Sequence, residues 1–382
     1  MTKRPPFAAL LAACLAALAL VIAGCSGKVE VPDPAKPHHT SAGFRNADGS
    51  AINPGVFDGI RYSWAMWNAT RAPLPPELTP RVPDLGYLQE NRAENSLTWI
   101  GHSTVLLQVA GLNVLTDPQF STTTGPNRWQ GSTRRVAPAM SVEELPSIDV
   151  VVISNNHYDL LDEASVKAIA AKSNPLFIVP LGVDAILREW GVSNVRALDW
   201  WEQIDVATKT GVQVQIHCVP MHGWSKRGWF SANDALWAGY VVKSGDFSVL
   251  YAGETGYGPD FKTIGEKFAA LDMALLPVGG YEPRWYRQPM ALDPTQAVQA
   301  YKDLGAKRAV ALHWGSFDLS TEAIDAARIE LPKAVAAAGV SPDDFLVMQN
   351  GETAIWRVEK APDLAGSSRA HPKREWRKGE PR

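Results

Sequence analysis

Residues Val150–Asp162 read VVVISNNHYDLLD, an apolar run that passes directly into a polar loop. Val150–Ile153 reads as a buried strand. Beyond it, Asn155, His157 and Asp159 fall at alternate positions, a spacing that projects side chains together from one sheet edge. Imidazole and carboxylate donors so arranged are the chemistry of zinc ligation. Asn155 offers only a neutral amide oxygen, a poor zinc donor beside imidazole. The segment therefore reads as a sheet-edge loop in which His157 and Asp159 are potential metal donors.

Around it lies a chain of 382 residues, 46% hydrophobic and 20% charged, enough for a large folded core. The formal charge of -3 gives no overall pull toward nucleic acid. Lys3 and Arg4, the apolar run Phe7–Ile22 and the small residues Ala23 and Gly24 before Cys25 read as a signal segment over 1–24. Ile22-Ala23-Gly24-Cys25 resembles a bacterial lipobox, which implies lipidation at Cys25. Ser26 behind it implies the outer membrane of the cell envelope. Cys14 leaves with the signal and Cys25 carries lipid, so Cys218 stands alone, without an internal disulfide, as a core thiol.

Residues 25–50 read as a linker, in which His38 and His39 are expected to be solvated. Residues 51–360 read as one body, and 361–382 as a basic tail expected to be disordered and able to touch anionic lipid. Within the body, β-rich runs alternate with helical ones, which indicates an α/β protein. Strands are expected at 97–100, 104–109, 113–115, 150–153, 212–219, 247–251, 273–277, 309–312 and 345–348. Helices are expected at 163–171, 183–190, 295–304 and 322–338, the last broken near Pro332. Ala110-Gly111-Leu112 suits a hairpin, and the whole reads as an antiparallel-leaning sandwich with helices outside.

Several ordered segments carry a family resemblance: Trp99-Ile100-Gly101-His102-Ser103-Thr104, Asn113-Val114-Leu115-Thr116-Asp117-Pro118, Leu198-Asp199-Trp200-Trp201-Glu202, Ala252-Gly253-Glu254-Thr255-Gly256-Tyr257 and His313-Trp314-Gly315-Ser316-Phe317. From Leu97 to Trp356 the chain resembles the metallo-β-lactamase superfamily, in its branch of N-acylphosphatidylethanolamine-hydrolysing phospholipase D. The resemblance implies an αββα metallo-β-lactamase-type sandwich and two zinc ions. The first would use positions 155, 157 and a histidine just before Trp224, which here are Asn155, His157 and Gly223, with His222 one residue early. The second would use 159, 160 and 313, here Asp159, Leu160 and His313. The bridging Asp becomes Glu254, and a further active-site histidine becomes Ala291.

Leu160 and Gly223 cannot ligate, so the remaining donors are His157, Asp159, Glu254 and His313, with His222 and Asn155 as marginal additions. Asp159 and Glu254 are the catalytic candidates, and fewer than two zinc ions are expected. His157 and Asp159 stay open to a second reading as a hydrogen-bonded loop pair, with Asp159 or Asp162 capping the helix near Glu163. By the same resemblance His102 supports the site without ligating, and Asp117 is either a turn carboxylate or a partner that orients a ligand. His217 reads as surface. Trp64, Met66 and Trp67, with Trp285 and Tyr286, are candidates for facing lipid, and Arg284 and Arg287 for pairing with a phosphate.

Two functions follow as expectations. One is a phospholipase-D-like hydrolase of phospholipid or another phosphodiester, with a degenerate, mononuclear or inactive site. The other is a non-catalytic lipoprotein that binds lipid or an amphiphile. Both place the chain at a membrane through its lipid anchor.

Overall fold

A computed structural model describes residues 33–127, 130–228, 231–269, 271–358 and 374–378. Cys25 and the signal segment lie outside them. A hairpin of β1 (His39–Thr40) and β2 (Gly43–Phe44) precedes α1 (Val56–Asn68) and α2 (Leu85–Glu90). The first sheet is then built from β3 (Asn95–Gly101), β4 (Thr104–Val109), β5 (Leu112–Thr116) and β6 (Val150–Val152). Helix α3 (Glu163–Ser173), β7 (Leu176–Pro180), α4 (Val183–Glu189) and β8 (Val195–Leu198) follow.

The second sheet takes β9 (Gln203–Ala207), β10 (Gln213–Val219), β11 (Gly239–Ser244) and β12 (Phe247–Tyr251), then α5 (Asp260–Phe268) and β13 (Met273–Pro277). Next come α6 (Arg284–Arg287), α7 (Pro294–Leu304), β14 (Ala309–Leu312), α8 (Ala326–Ala337) and β15 (Phe345–Leu346). The chain returns to the first sheet with β16 (Thr353–Val358) and β17 (Arg374–Lys378). The order of the first sheet is β17-β16-β3-β4-β5-β6-β7-β8, and that of the second β15-β14-β13-β12-β11-β10-β9.

Period-two alternation divides the core into layers. Val105, Leu107 and Val109 of β4, with Val150 and Val152 of β6, join Val241, Leu250 and Leu275 of the second sheet in one cluster. Leu106 and Val151, pointing the other way, join Val166 and Ile169 of α3 and Leu187 of α4. Helices thus cover the outer face of each sheet, giving the expected αββα sandwich.

The sheets do not lean antiparallel as expected. Each is antiparallel on one side and parallel on the other, with β5 to β8 and β12 to β15 running parallel. The C-terminal ends of both parallel halves meet at one edge. β7 to β9 and β11 were not legible as strands, because short segments ending in Pro180 or starting at Gly239 lack a clear period. Helix α8 runs through Pro332 without a break, since Leu331 and Val335 bury one face across it. In the expected tail, Arg374–Lys378 pairs antiparallel with β16.

Residues from Asp33 onward do not behave as a solvated linker. His38 is 7% exposed and stacks on Trp200 at 4.4 Å. Its Nε2 lies 2.7 Å from Asp199 Oδ1, while His39 Nε2 and Lys36 Nζ reach Oδ2 at 2.9 and 2.6 Å. The reading of these histidines as solvated failed because their partner stands 160 residues away in sequence. Burial works against the Asp199 carboxylate, but His38 and Lys36 hold it well below its ordinary range. This strap ends at Asn46, whose Oδ1 accepts the Gly223 N–H at 2.8 Å.

Candidate metal centre

Each site residue follows the end of a strand. His102 and Ser103 turn β3 into β4, Asp117 follows β5, and Asn155–Asp159 follow β6. Glu254 follows β12, Gly280 follows β13 and His313 follows β14. His102, Asp117 and His313 have φ of 55°, 29° and 63°, a region that non-glycine residues enter at a cost of about 1–3 kcal/mol each. Gly253 also has positive φ, and a Cβ there would stand 2.4 Å from that of Ser154, so glycine lets the two sheets close up.

The structure divides the expected donors into two groups. In the first, Asp159 Oδ2 lies 3.0 Å from His102 Nε2 and 3.7 Å from His313 Nε2. The donor atoms of His102, Asp159 and His313 all lie within 4.8 Å of one another. Ser103 Oγ holds His313 Nδ1 at 2.9 Å, leaving His313 Nε2 buried and without a hydrogen-bond partner. Burial, then His102, pushes the His313 imidazole down to about 4, so it is neutral near pH 7 and able to donate a lone pair. Burial would raise the Asp159 carboxyl, but His102 and then His313 hold it well below its usual range.

The second group is paired within itself except at His157 Nε2, which is buried and without a hydrogen-bond partner. Glu254 Oε2 lies 2.7 Å from His157 Nδ1, and Glu254 Oε1 accepts from Arg287 Nη2 at 3.0 Å. Burial works against this carboxylate too, but His157 and then Arg287 bring it down to about 2. Asn155 spends its amide on Trp224 O, at 2.9 Å, and on the Asn156 N–H, at 2.7 Å. His222 joins neither group, its Nδ1 facing Asp48 Oδ2 at 3.9 Å.

Several expectations change accordingly. His102 stands among the donors, beyond a supporting role, because its turn places Nε2 on Asp159. His157, Glu254 and His222 fall outside the three-donor group. Asp162 is the helix cap, accepting from Ser165 N at 3.1 Å, which leaves Asp159 for the site. Arg284 and Arg287 do not present themselves to a phosphate. Arg284 binds Tyr281 O, Ala291 O and Gln296, and Arg287 binds Gly280 O and Glu254. His217 is half-buried, its ring 5.0 Å from that of Phe268, while Cys218 is buried as expected.

At the degenerate positions, Leu160 is fully buried and Ala291 sits beside Tyr281 and Ala326. A Cβ at Gly223 would meet Trp237 Cδ1 at 3.2 Å. Asp117 accepts from Ser154 N and Oγ at 2.7 and 2.5 Å and from the Tyr251 hydroxyl. It thereby ties the first sheet to the second, and burial pushes its carboxyl up to about 7. The cavity beside His313 holds about 20 Å³, room for one small ligand such as water. A larger cleft of about 760 Å³ lies along Tyr158, Asp162 and Arg227 and contains none of the three donors.

Three donors, two of them imidazoles, with an orphaned buried nitrogen fit one zinc ion. At the other expected ligand positions, Glu254 is paired with His157 and Arg287, Asn155 is turned to Trp224 O and Gly223 carries no donor.

A sandwich with donor residues at the edge where its parallel strands end defines a metallo-hydrolase fold. The model of the β-lactamase superfamily domain matches residues 112–314, more than half of the chain, so the protein belongs to that superfamily. It is 33% identical over 231 residues to the N-acyl-phosphatidylethanolamine-hydrolyzing phospholipase D 1 of Caenorhabditis elegans, covering 59% of this chain and 65% of the relative. With the mitochondrial N-acyl-phosphatidylethanolamine-hydrolyzing phospholipase D of Saccharomyces cerevisiae it shares 35% over 233 residues, 59% of this chain and 48% of the relative. The match thus spans less than two thirds of either relative. A metallo hydrolase from Ignicoccus hospitalis shares the fold, with TM-score 0.52 at 23% identity over 70% of this chain and 100% of its own.

Proposed function

We propose that the protein is a one-ion hydrolase of phospholipids or other phosphodiesters, working at the surface of the membrane to which Cys25 anchors it. The observation that carries this reading is the His102, Asp159 and His313 group, with its unpartnered buried Nε2. His102, Asp159 and His313 would hold the ion. When bound, it supplies Lewis acidity toward water and a phosphoryl oxygen. Ser103 orients the His313 ring, and Asp159, kept ionised by His102 and then His313, supplies the anionic donor of the group. Positive φ at both histidines is strain of the kind that collects at functional sites.

The phospholipid part rests on the relatives' names and on α1. Phe57, Ile60, Trp64 and Trp67 are 87%, 61%, 69% and 86% exposed, at a spacing that makes one apolar stripe. The helix is attached to the wall of the site, with Tyr62 stacked on Tyr286 at 4.4 Å and Arg61 over Trp285 at 4.0 Å. Among the described residues no helix is long and apolar enough to cross a membrane. A lipid surface is the occupant that an indole-rich stripe beside such a site fits.

A second reading, a lipoprotein that binds amphiphiles without turnover, is favoured by the pairing of Glu254 with both His157 and Arg287. Elemental analysis of the purified chain separates them, together with phosphodiester hydrolysis by the parent and by Asp159→Asn. One equivalent of metal and a hydrolysis rate lost in the variant supports the enzyme. A metal-free parent as inactive as the variant supports the binding protein.

A further inference from the structure

We infer that the Arg287 guanidinium is a built-in cation that occupies Glu254 in place of a second metal ion and so fixes this site at a single ion. The inference rests on the one-ion reading of the His102, Asp159 and His313 group, and it adds the residue that enforces it.

Glu254 follows β12 at the sheet edge, with side-chain exposure of 7%, and has two oxygens. One is taken by His157 at 2.7 Å and the other by Arg287 at 3.0 Å. Arg287 is 11% exposed at its side chain and is held from two further directions, by Gly280 O at Nε and Met290 Sδ at Nη1. Gly280 is what admits it. With φ of 72°, a Cβ there would stand 2.9 Å from Arg287 Nη2 and 3.9 Å from His313 Nε2. The guanidinium therefore lies beside both the Glu254 carboxylate and the three-donor group.

Charge makes the consequence definite. Asp159 and Glu254 bring two negative charges, and Arg287 returns one positive charge that no accessible pH removes. Among these three groups the net charge is about minus one, suited to one divalent ion. Without Arg287 it would be about minus two, with Glu254 Oε1 released as a donor.

The test is a zinc titration by isothermal calorimetry on the full chain and on Arg287→Met, Arg287→Lys, Glu254→Gln and the double variant Arg287→Met/Glu254→Gln. Removing the cation is expected to tighten zinc binding about tenfold or more and to raise the stoichiometry above one. Arg287→Lys keeps a cation and should stay within about threefold of the parent, and the double variant should return toward the parent. Glu254→Gln leaves the cation unbalanced and should weaken binding about tenfold, which carries the test should Arg287→Met not fold. A folded Arg287→Met that binds zinc no more tightly than Arg287→Lys overturns the inference, as does an unchanged Glu254→Gln or a parent that takes up two equivalents. A parent and an Arg287→Met that both bind no zinc overturn it as well, since the guanidinium is then not what keeps ions out. A parent that binds one equivalent beside an unresponsive Arg287→Met leaves the one-ion reading standing and removes only the role of Arg287.

Discussion

The backbone N–H of His313 bonds the carbonyl of His102 at 3.0 Å, joining a turn of the first sheet to a strand end of the second. Their rings lie 4.2 Å apart, and both residues sit at positive φ. His102→Gly should therefore keep the backbone, since glycine takes this conformation without strain. Its stability should stay within about 2 kcal/mol of the parent, the relief of strain offsetting the lost Asp159 contact. What should disappear is the response to zinc: in the parent, zinc at about 100 times Kd adds about 2.7 kcal/mol. Thermal unfolding with and without zinc checks this, and a zinc-dependent rise in Tm that persists in His102→Gly would exclude His102 as a donor.

Stability should fall on the acid side in two stages. His313 titrates at about 4 when folded, below the ordinary histidine value, so the unfolded chain binds the extra proton as pH drops from about 6.5 to 4. Glu254 and Asp159 are held below ordinary carboxylates, so their contribution is present above about 4.5 and is lost as pH falls further. Asp117 runs the opposite way: held up to about 7, it favours the fold below about 4 and loses that contribution as pH rises through 7. Urea midpoints from pH 3.5 to 8 report the sum. His313→Gln should flatten the stretch between 6.5 and 4 while leaving the lower fall, and an unaltered profile in that variant would contradict the assignment.

The strap over the sandwich depends on Asp199, a buried carboxylate shared by Lys36, His38 and His39. Asp199→Asn keeps the shape and removes the charge, which should cost about 1–3 kcal/mol. Because Asn46 reaches Gly223 from the same strap, the loop bearing His222 should loosen with it. Limited trypsin digestion should cut faster after Arg45 in the variant, and equal rates would mean that the strap is held elsewhere.

Much of this fold was legible because β4, β6, β12, β13 and β14 carry runs whose residues alternate between two buried layers or are buried throughout. The ends of those strands placed Asp159, Glu254 and His313 at one edge. The grouping within that edge was not legible, because it depends on turn geometry. His102 becomes a donor through a positive-φ turn that no periodicity announces, and Arg287 reaches Glu254 only because Gly280 leaves room. The Asp199 contacts were hidden for a different reason: His38 and His39 lie in a Pro- and Lys-rich stretch whose composition suggests solvent, and their partner comes from the other end of the first sheet. The pair Gly280 and Arg287 is a signal that could have been sought, as a glycine after a buried strand with a cation seven residues on.

The last expected outcome concerns α1. Phe57, Ile60, Trp64 and Trp67 are all largely exposed, so polar replacements should alter the unfolding midpoint little. At a bilayer the same replacements remove apolar area, at about 1.5–3 kcal/mol for each large side chain buried. The helix carries Asp58 and Arg61 with no excess of basic charge, so attachment should depend on apolar contact and respond little to salt. Cys25→Ser removes the proposed lipid anchor, so that the helix can be judged without it. In it, Trp64→Ser/Trp67→Ser should lower partitioning onto phosphatidylcholine vesicles about tenfold or more in a flotation assay, with the fold intact by circular dichroism. Equal flotation of the two proteins would leave the stripe without a lipid partner.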